Sequence, residues 1–333
     1  MLRLYSRTLL ASSVSLALDI GKDWIYTNFM DKLKFAIFAL VLMSGLVGAR
    51  KRECLKDLKA HGLLNLQYAR VEGVDPKLLS LDLYIPRRKF PCDLRPLVVW
   101  VHGGAWARGD KANNVKFKVK LFRDSLGYVF ASVNYRLSRK NDYGKPGHIQ
   151  FPTHVLDVAA ALRWLIDRGP SLGIDTTKIA LIGHSAGAHI VAILGTDERI
   201  LRARGLTLRY IKCVASLDTR AYDLPKAIQK TRRFFYFNAF GNNPELWKEA
   251  SPLYHVEPGK HIPPFLLVRR GSRLSKQICD EFRSKLEKAG VPVTVINADG
   301  ITHRKVNLLV GAPGDTLVTP KLVKFLSKYL GED

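Results

Sequence analysis

Five residues constrain this chain more than any others. Gly183-His184-Ser185-Ala186-Gly187 lies between an apolar run at 178–183 and a segment at 186–194 that reads as a helix. A G-x-S-x-G sequence in that setting implies a sharp strand-to-helix turn. The turn is crowded, so it needs small residues two positions to either side of the serine. It lifts the serine oxygen above the sheet at a helix N-terminus, where the dipole favours developing negative charge. Ser185 is therefore the candidate nucleophile.

The surrounding pattern alternates strand and helix, which predicts an α/β fold: a mostly parallel sheet with helices on both faces. Strands are expected at 79–85, 97–101, 128–135, 178–183, 211–217, 264–268 and 291–296. The run at 97–101 is continuously apolar, as a strand buried on both faces should be. Val155, Val158, Leu162 and Leu165 mark one helix, and Leu322, Phe325, Leu326 and Leu330 mark the last. No linker or internal repeat follows residue 50. With 333 residues, 47% of them hydrophobic, one large domain can bury a full core. The least regular stretch, 219–262, is rich in aromatics and is expected to form a small cap or pocket wall.

Two further signals fall where such a serine would need them. His102-Gly103-Gly104-Ala105-Trp106 directly follows the strand ending at Val101. Adjacent glycines let backbone N–H groups face a substrate oxygen unobstructed. Gly103, Gly104 and Ala186 are thus the candidate oxyanion donors, each worth about 3–4 kcal/mol in a transition state. Trp106 is a candidate pocket residue. His303 lies in the loop after the strand at 291–296, ahead of the C-terminal helix, and can reach the serine from that edge of the sheet as a general base. The other eight histidines lie inside the two motifs, on the helix after Ser185, or away from that last strand.

With these motifs the chain resembles the α/β-hydrolase superfamily, in the branch with an HGG-x-W oxyanion motif. That branch includes carboxylesterases, feruloyl- and acetyl-esterase-like proteins and kynurenine-formamidase-like enzymes. The resemblance runs from about Leu79 to Leu330. It includes Asn134-Tyr135-Arg136-Leu137, Phe151-Pro152 and the stretch from Asp157 to Leu165. It implies a serine-dependent carboxylic ester hydrolase working through an acyl-enzyme, without metal or organic cofactor. An amidase or formamidase of the same mechanism is the alternative. Arg136 and Asp157 read as a structural ion pair. The chain departs from the family at the acid. The loop where the family places it reads Gly271-Ser272-Arg273-Leu274-Ser275-Lys276-Gln277 and holds no carboxylate. Asp218, at the end of the strand at 211–217, is the candidate in its place, with Asp223 and Asp280 as alternatives. Asp218 could equally cap the turn at Thr219. Without an acid, a non-catalytic binding protein on a hydrolase scaffold is the rival reading.

The charge is extreme, with 53 Lys and Arg against 29 Asp and Glu, a net +24. These charges are scattered rather than clustered, and no nucleic-acid-binding motif accompanies them. The expected partner is a small-molecule ester, with some attraction to anionic surfaces and no nucleic acid. The four cysteines include no C-x-x-C pair, which argues against a metal or redox site, and Cys213 reads as a buried thiol. Residues 1–49 read as a targeting segment. Lys32 and Lys34 precede an apolar run at 35–47 and small residues at its end, a signal-peptide pattern in which Met30 could be the true start. Export, or anchoring through 35–49, is the expected localisation.

Overall fold

The computed structural model describes residues 59–87 and 93–331, all within the unit Glu53–Asp333. The targeting segment expected at 1–49 lies outside the described residues. Eight strands form one sheet: β1 His61–Gln67, β2 Ser80–Ile85, β3 Arg95–Val101, β4 Val129–Val133, β5 Ile174–His184, β6 Cys213–Leu217, β7 Phe265–Arg269 and β8 Val293–Asn297. Their order is β1-β2-β4-β3-β5-β6-β7-β8. β2 runs antiparallel to both of its neighbours, and β4 to β8 pair in parallel through β3. β1 was not among the expected strands. It is an edge strand, largely solvent-facing, with Leu64 58% exposed, so it lacks the apolar alternation that marks a half-buried strand.

The helices are α1 Lys116–Val119, α2 Thr153–Arg168, α3 Ala186–Thr196, α4 Glu198–Arg202, α5 Leu224–Thr231, α6 Phe234–Phe240, α7 Pro244–Glu249, α8 Arg273–Lys288, α9 His303–Leu309 and α10 Thr319–Leu330. Parallel strands require crossovers, and the helices cover both faces of the sheet. β3 shows why its sequence is apolar throughout. Leu97, Val99 and Val101 join the larger core on one face, while Val98 and Trp100 join the second core on the other. Every residue of α3 is buried, as expected of a helix that is apolar all round. The Arg136–Asp157 pair forms, with two guanidinium N–H groups on the carboxylate at 2.6 and 2.9 Å. Cys213 and Cys279 are free and buried. Among the described residues no helix is long and apolar enough to cross a membrane.

One buried charge in this frame has a measurable consequence. Lys118 is 1% exposed. Its Nζ donates to the carbonyls of Asn114 and Asn307, both at 3.0 Å, and sits 4.5 Å from the centre of the Trp100 ring. No carboxylate pairs with it among the described residues. Burial brings its pKa down from 10.5 to about 7. Between pH 7 and 9 the unfolded chain therefore holds a proton that the folded chain lacks, and stability rises with pH. Urea unfolding should show a gain of up to about 2–3 kcal/mol over that interval. Lys118→Met should flatten the dependence.

Candidate active site

The site is assembled at the C-terminal edge of the parallel strands, from the ends of β3, β5 and β6 and the loops after β7 and β8. Ser185 follows β5 and has φ +58° and ψ −116°, a strained conformation for a non-glycine residue. Small neighbours make the turn fit. A Cβ on Gly183 would come within 2.2 Å of the Gly187 carbonyl oxygen, and one on Gly187 within 2.0 Å of the Val101 carbonyl oxygen. The Ser185 N–H donates to the Leu217 carbonyl at 3.1 Å, which ties the turn to the end of β6. The next residue in the chain is Asp218.

His303 is the first residue of α9. Thr302 caps that helix by accepting from the Lys305 N–H at 3.2 Å. The His303 ring bridges the other two groups. Its Nε2 is 2.8 Å from Ser185 Oγ, and its Nδ1 is 2.6 Å from Asp218 Oδ2. The structure thus brings Ser185, His303 and Asp218 into one hydrogen-bonded chain. Asp218 holds φ +63°, which Asp tolerates better than most residues. Among the described residues its side chain caps no turn and accepts from Arg270 and His303. The other two carboxylates lie elsewhere. Asp280 pairs with Arg269 at 2.7 Å, and Asp223 caps α5 by accepting from the Lys226 N–H at 3.1 Å.

Two residues not singled out from sequence hold this chain in place. Arg270, from the loop after β7, donates to Asp218 Oδ2 at 2.6 Å and to the Ile301 carbonyl at 3.1 Å. Burial opposes ionisation of Asp218, but the hydrogen bonds and charges of His303 and Arg270 outweigh it and hold the carboxyl below its usual range. His184, inside the serine motif, donates through Nε2 to the His303 carbonyl at 2.9 Å, and its ring lies 4.5 Å from the His303 ring. Burial, then the neighbouring His303, lowers its pKa to about 4, so it stays neutral. The signal for Arg270 was in the sequence: a basic residue stands immediately before the stretch 271–277 where an acid was sought, of which 273–277 belong to α8.

His184, Asp218 and His303 offer ligand atoms within 4.8 Å of one another, a spacing that could hold a metal ion. Each of these side chains is already committed to a hydrogen bond. The Arg270 guanidinium also lies against the carboxylate, which disfavours a second cation there.

The loop after β3 is rigidly built. His102 stacks on Tyr135 with ring centres 4.5 Å apart, and the Tyr135 hydroxyl donates to the His102 carbonyl at 3.0 Å. The Gly104 carbonyl accepts from the N–H groups of Ala107 and Arg108, both at 3.1 Å. Among the described residues, the N–H groups of Gly103 and Gly104 donate to no carbonyl. That of Ala186 opens α3, where no partner within the helix exists. All three residues line the same cavity as Ser185. Gly104 has φ +134°, and a Cβ there would lie 1.9 Å from the Arg108 carbonyl oxygen. Gly104→Ala should therefore displace one N–H and lower kcat on a short 4-nitrophenyl ester by about 10²–10³-fold.

Trp106 borders the cavity but is only 3% exposed. Its indole packs against His189 and the rings of Phe235, Tyr236 and Phe240, so most of it is core and only an edge is wall. The segment between β6 and β7 folds into α5, α6 and α7, and α6 supplies Phe235 and Tyr236 to the wall. The cavity has a volume of about 920 Å³. His303 is half exposed at its rim, so water reaches its imidazole.

Known proteins share this architecture. The family model BD-FAE matches residues 81–273. Esterase LipC of Mycobacterium tuberculosis is 28% identical over 231 residues, covering 65% of this chain and 53% of that protein. The probable N-octanoylanthranilate hydrolase AqdA2 of Rhodococcus erythropolis is 41% identical over 150 residues, covering 45% of this chain and 32% of that protein. The chain thus spans about half of one relative's length and a third of the other's. The crystal structure of esterase B from Lactobacillus rhamnosis matches with a TM-score of 0.63 at 21% identity, over 88% of this chain and 94% of that one. At that identity the likeness is one of fold.

Proposed function

The chain belongs to the BD-FAE family, and on that premise we propose that it hydrolyses carboxylic esters through an acyl-enzyme on Ser185. The observation that carries this reading is the pair of contacts on one imidazole, 2.8 Å to Ser185 Oγ and 2.6 Å to Asp218 Oδ2. Ser185 Oγ attacks the ester carbonyl as its proton passes to His303 Nε2. Asp218 holds the ring's orientation and stabilises the imidazolium. The N–H groups of Gly103, Gly104 and Ala186 bind the oxyanion. Collapse breaks the bond to the alcohol, which leaves with the proton from His303. Water, deprotonated by His303, then attacks the acyl-enzyme and returns Ser185 with release of the acid. None of these steps calls on a metal or an organic cofactor.

An N-acyl bond is the second reading, supported by the name of the Rhodococcus relative, because the same groups serve amide cleavage. The binding-protein reading drew on a missing acid and on the large positive charge, and a carboxylate at 2.6 Å from His303 weighs against the first of these. The targeting pattern at 30–49 supports export or anchoring, and the net charge of +24 supports a salt-sensitive attraction to anionic surfaces. The test is turnover of 4-nitrophenyl butyrate by the full chain. Hydrolysis well above the buffer rate is expected. Folded protein with no turnover of butyrate, acetate or formamide substrates would contradict the proposal.

A further inference from the structure

The charge of the cavity narrows the substrate. Five arginines line it, namely Arg108, Arg220, Arg233, Arg270 and Arg304, with no lysine and a single carboxylate, Asp218. Arg270 is spent on that carboxylate. The other four have no acidic partner among the described residues. They come from four separate segments: the loop after Gly104, the turn after Asp218, the residue before α6 and the second residue of α9. Arg220 and Arg233 stand at the Tyr236 wall, where their charges oppose the upward push of burial on its phenol. Arg304 adjoins His303, and the stem of Arg108 lies beside Gly104.

Scattered surface arginines would need no explanation in so basic a chain. Four arginines without an acidic partner lining one concave site are different, Arg220 half-buried and Arg108, Arg233 and Arg304 exposed. Like charges repel, and a low-dielectric cleft focuses their field. An anion held among them relieves that repulsion, and the planar guanidinium matches a carboxylate with two parallel hydrogen bonds. A neutral aliphatic ester would leave the charges unanswered.

Resting on the ester-hydrolase reading, we propose that the natural substrate is an ester carrying a carboxylate on its acyl or its alcohol part, bound by Arg108, Arg220, Arg233 and Arg304. The anion is held away from the reacting carbonyl, so it steers and orients the substrate and takes no part in bond breaking.

Two matched pairs test this with the full chain. The acyl-side pair is 4-nitrophenyl hydrogen adipate against 4-nitrophenyl hexanoate. The alcohol-side pair is 4-acetoxybenzoate against phenyl acetate. Each kcat/KM is divided by the ester's own rate in alkali. In one pair the anionic member should be preferred by about tenfold or more at low salt. That ratio should fall towards one as NaCl rises to ~0.5 M, and which pair responds locates the carboxylate. The ratio should also drop in Arg220→Gln/Arg233→Gln or in Arg108→Gln/Arg304→Gln. A ratio of one or less in both pairs would overturn the anion proposal and leave ester hydrolysis standing. A preference unchanged in both double variants would overturn it equally. No turnover of any of the four esters would overturn the ester-hydrolase reading beneath it.

Discussion

Ser185→Ala should reduce kcat on 4-nitrophenyl butyrate by about 10⁴–10⁶-fold, with little change in KM. The hydroxyl is the atom that forms the covalent bond, so its loss removes a step and does not merely weaken one. Binding contacts are made elsewhere in the cavity and remain. The residual rate should come from the oxyanion donors acting on a water molecule. Because φ at this position is +58°, alanine inherits the backbone strain, and the fold should survive. Circular dichroism and thermal melting should match those of the parent chain, which separates loss of chemistry from loss of structure. A variant retaining more than about a tenth of the activity would mean that another group is the nucleophile.

Asp218→Asn should lower kcat by about 10⁴-fold, again with KM nearly unchanged. The substitution keeps the shape but offers His303 Nδ1 an amide in place of a charge. The imidazolium that forms during attack then lacks its counterion, and the ring can settle in the wrong tautomer. Arg270 sharpens the expectation. In the parent chain its guanidinium and the carboxylate neutralise each other at 2.6 Å. In the variant that positive charge stands beside the histidine that must itself become positive, so His303 should accept a proton less readily. Asp280→Asn and Asp223→Asn should show no comparable loss, since neither carboxylate lies against His303.

The inner parallel strands were legible in the sequence because they are buried on both faces. Continuous runs such as 97–101 and 265–268 admit few other readings. The serine turn and the double glycine were legible for a steric reason. Backbones pass so close there that a Cβ at Gly187 would collide with the Val101 carbonyl oxygen. β1 was hidden, because an edge strand facing solvent carries no apolar alternation. Asp218 could be named as the candidate acid but not separated from a turn cap, because an aspartate ending a strand can cap a turn or face a histidine, and the register of β6 against β5 decides between them. That register pairs Leu217 with His184 and sets Asp218 beside the serine turn. The arginine-lined cavity was equally hidden. Its residues are far apart in sequence and read singly as ordinary surface charge.

The most direct measurement is stoichiometric labelling of the full chain with diethyl 4-nitrophenyl phosphate, followed by peptide mass spectrometry. A serine activated by His303 and Asp218 should release one equivalent of 4-nitrophenolate and carry one diethylphosphoryl group. That group should map to Ser185, should be absent from Ser185→Ala and should form far more slowly in Asp218→Asn. Folded protein that takes up no label, or takes it up at another residue, would contradict the assignment of Ser185 as an activated nucleophile.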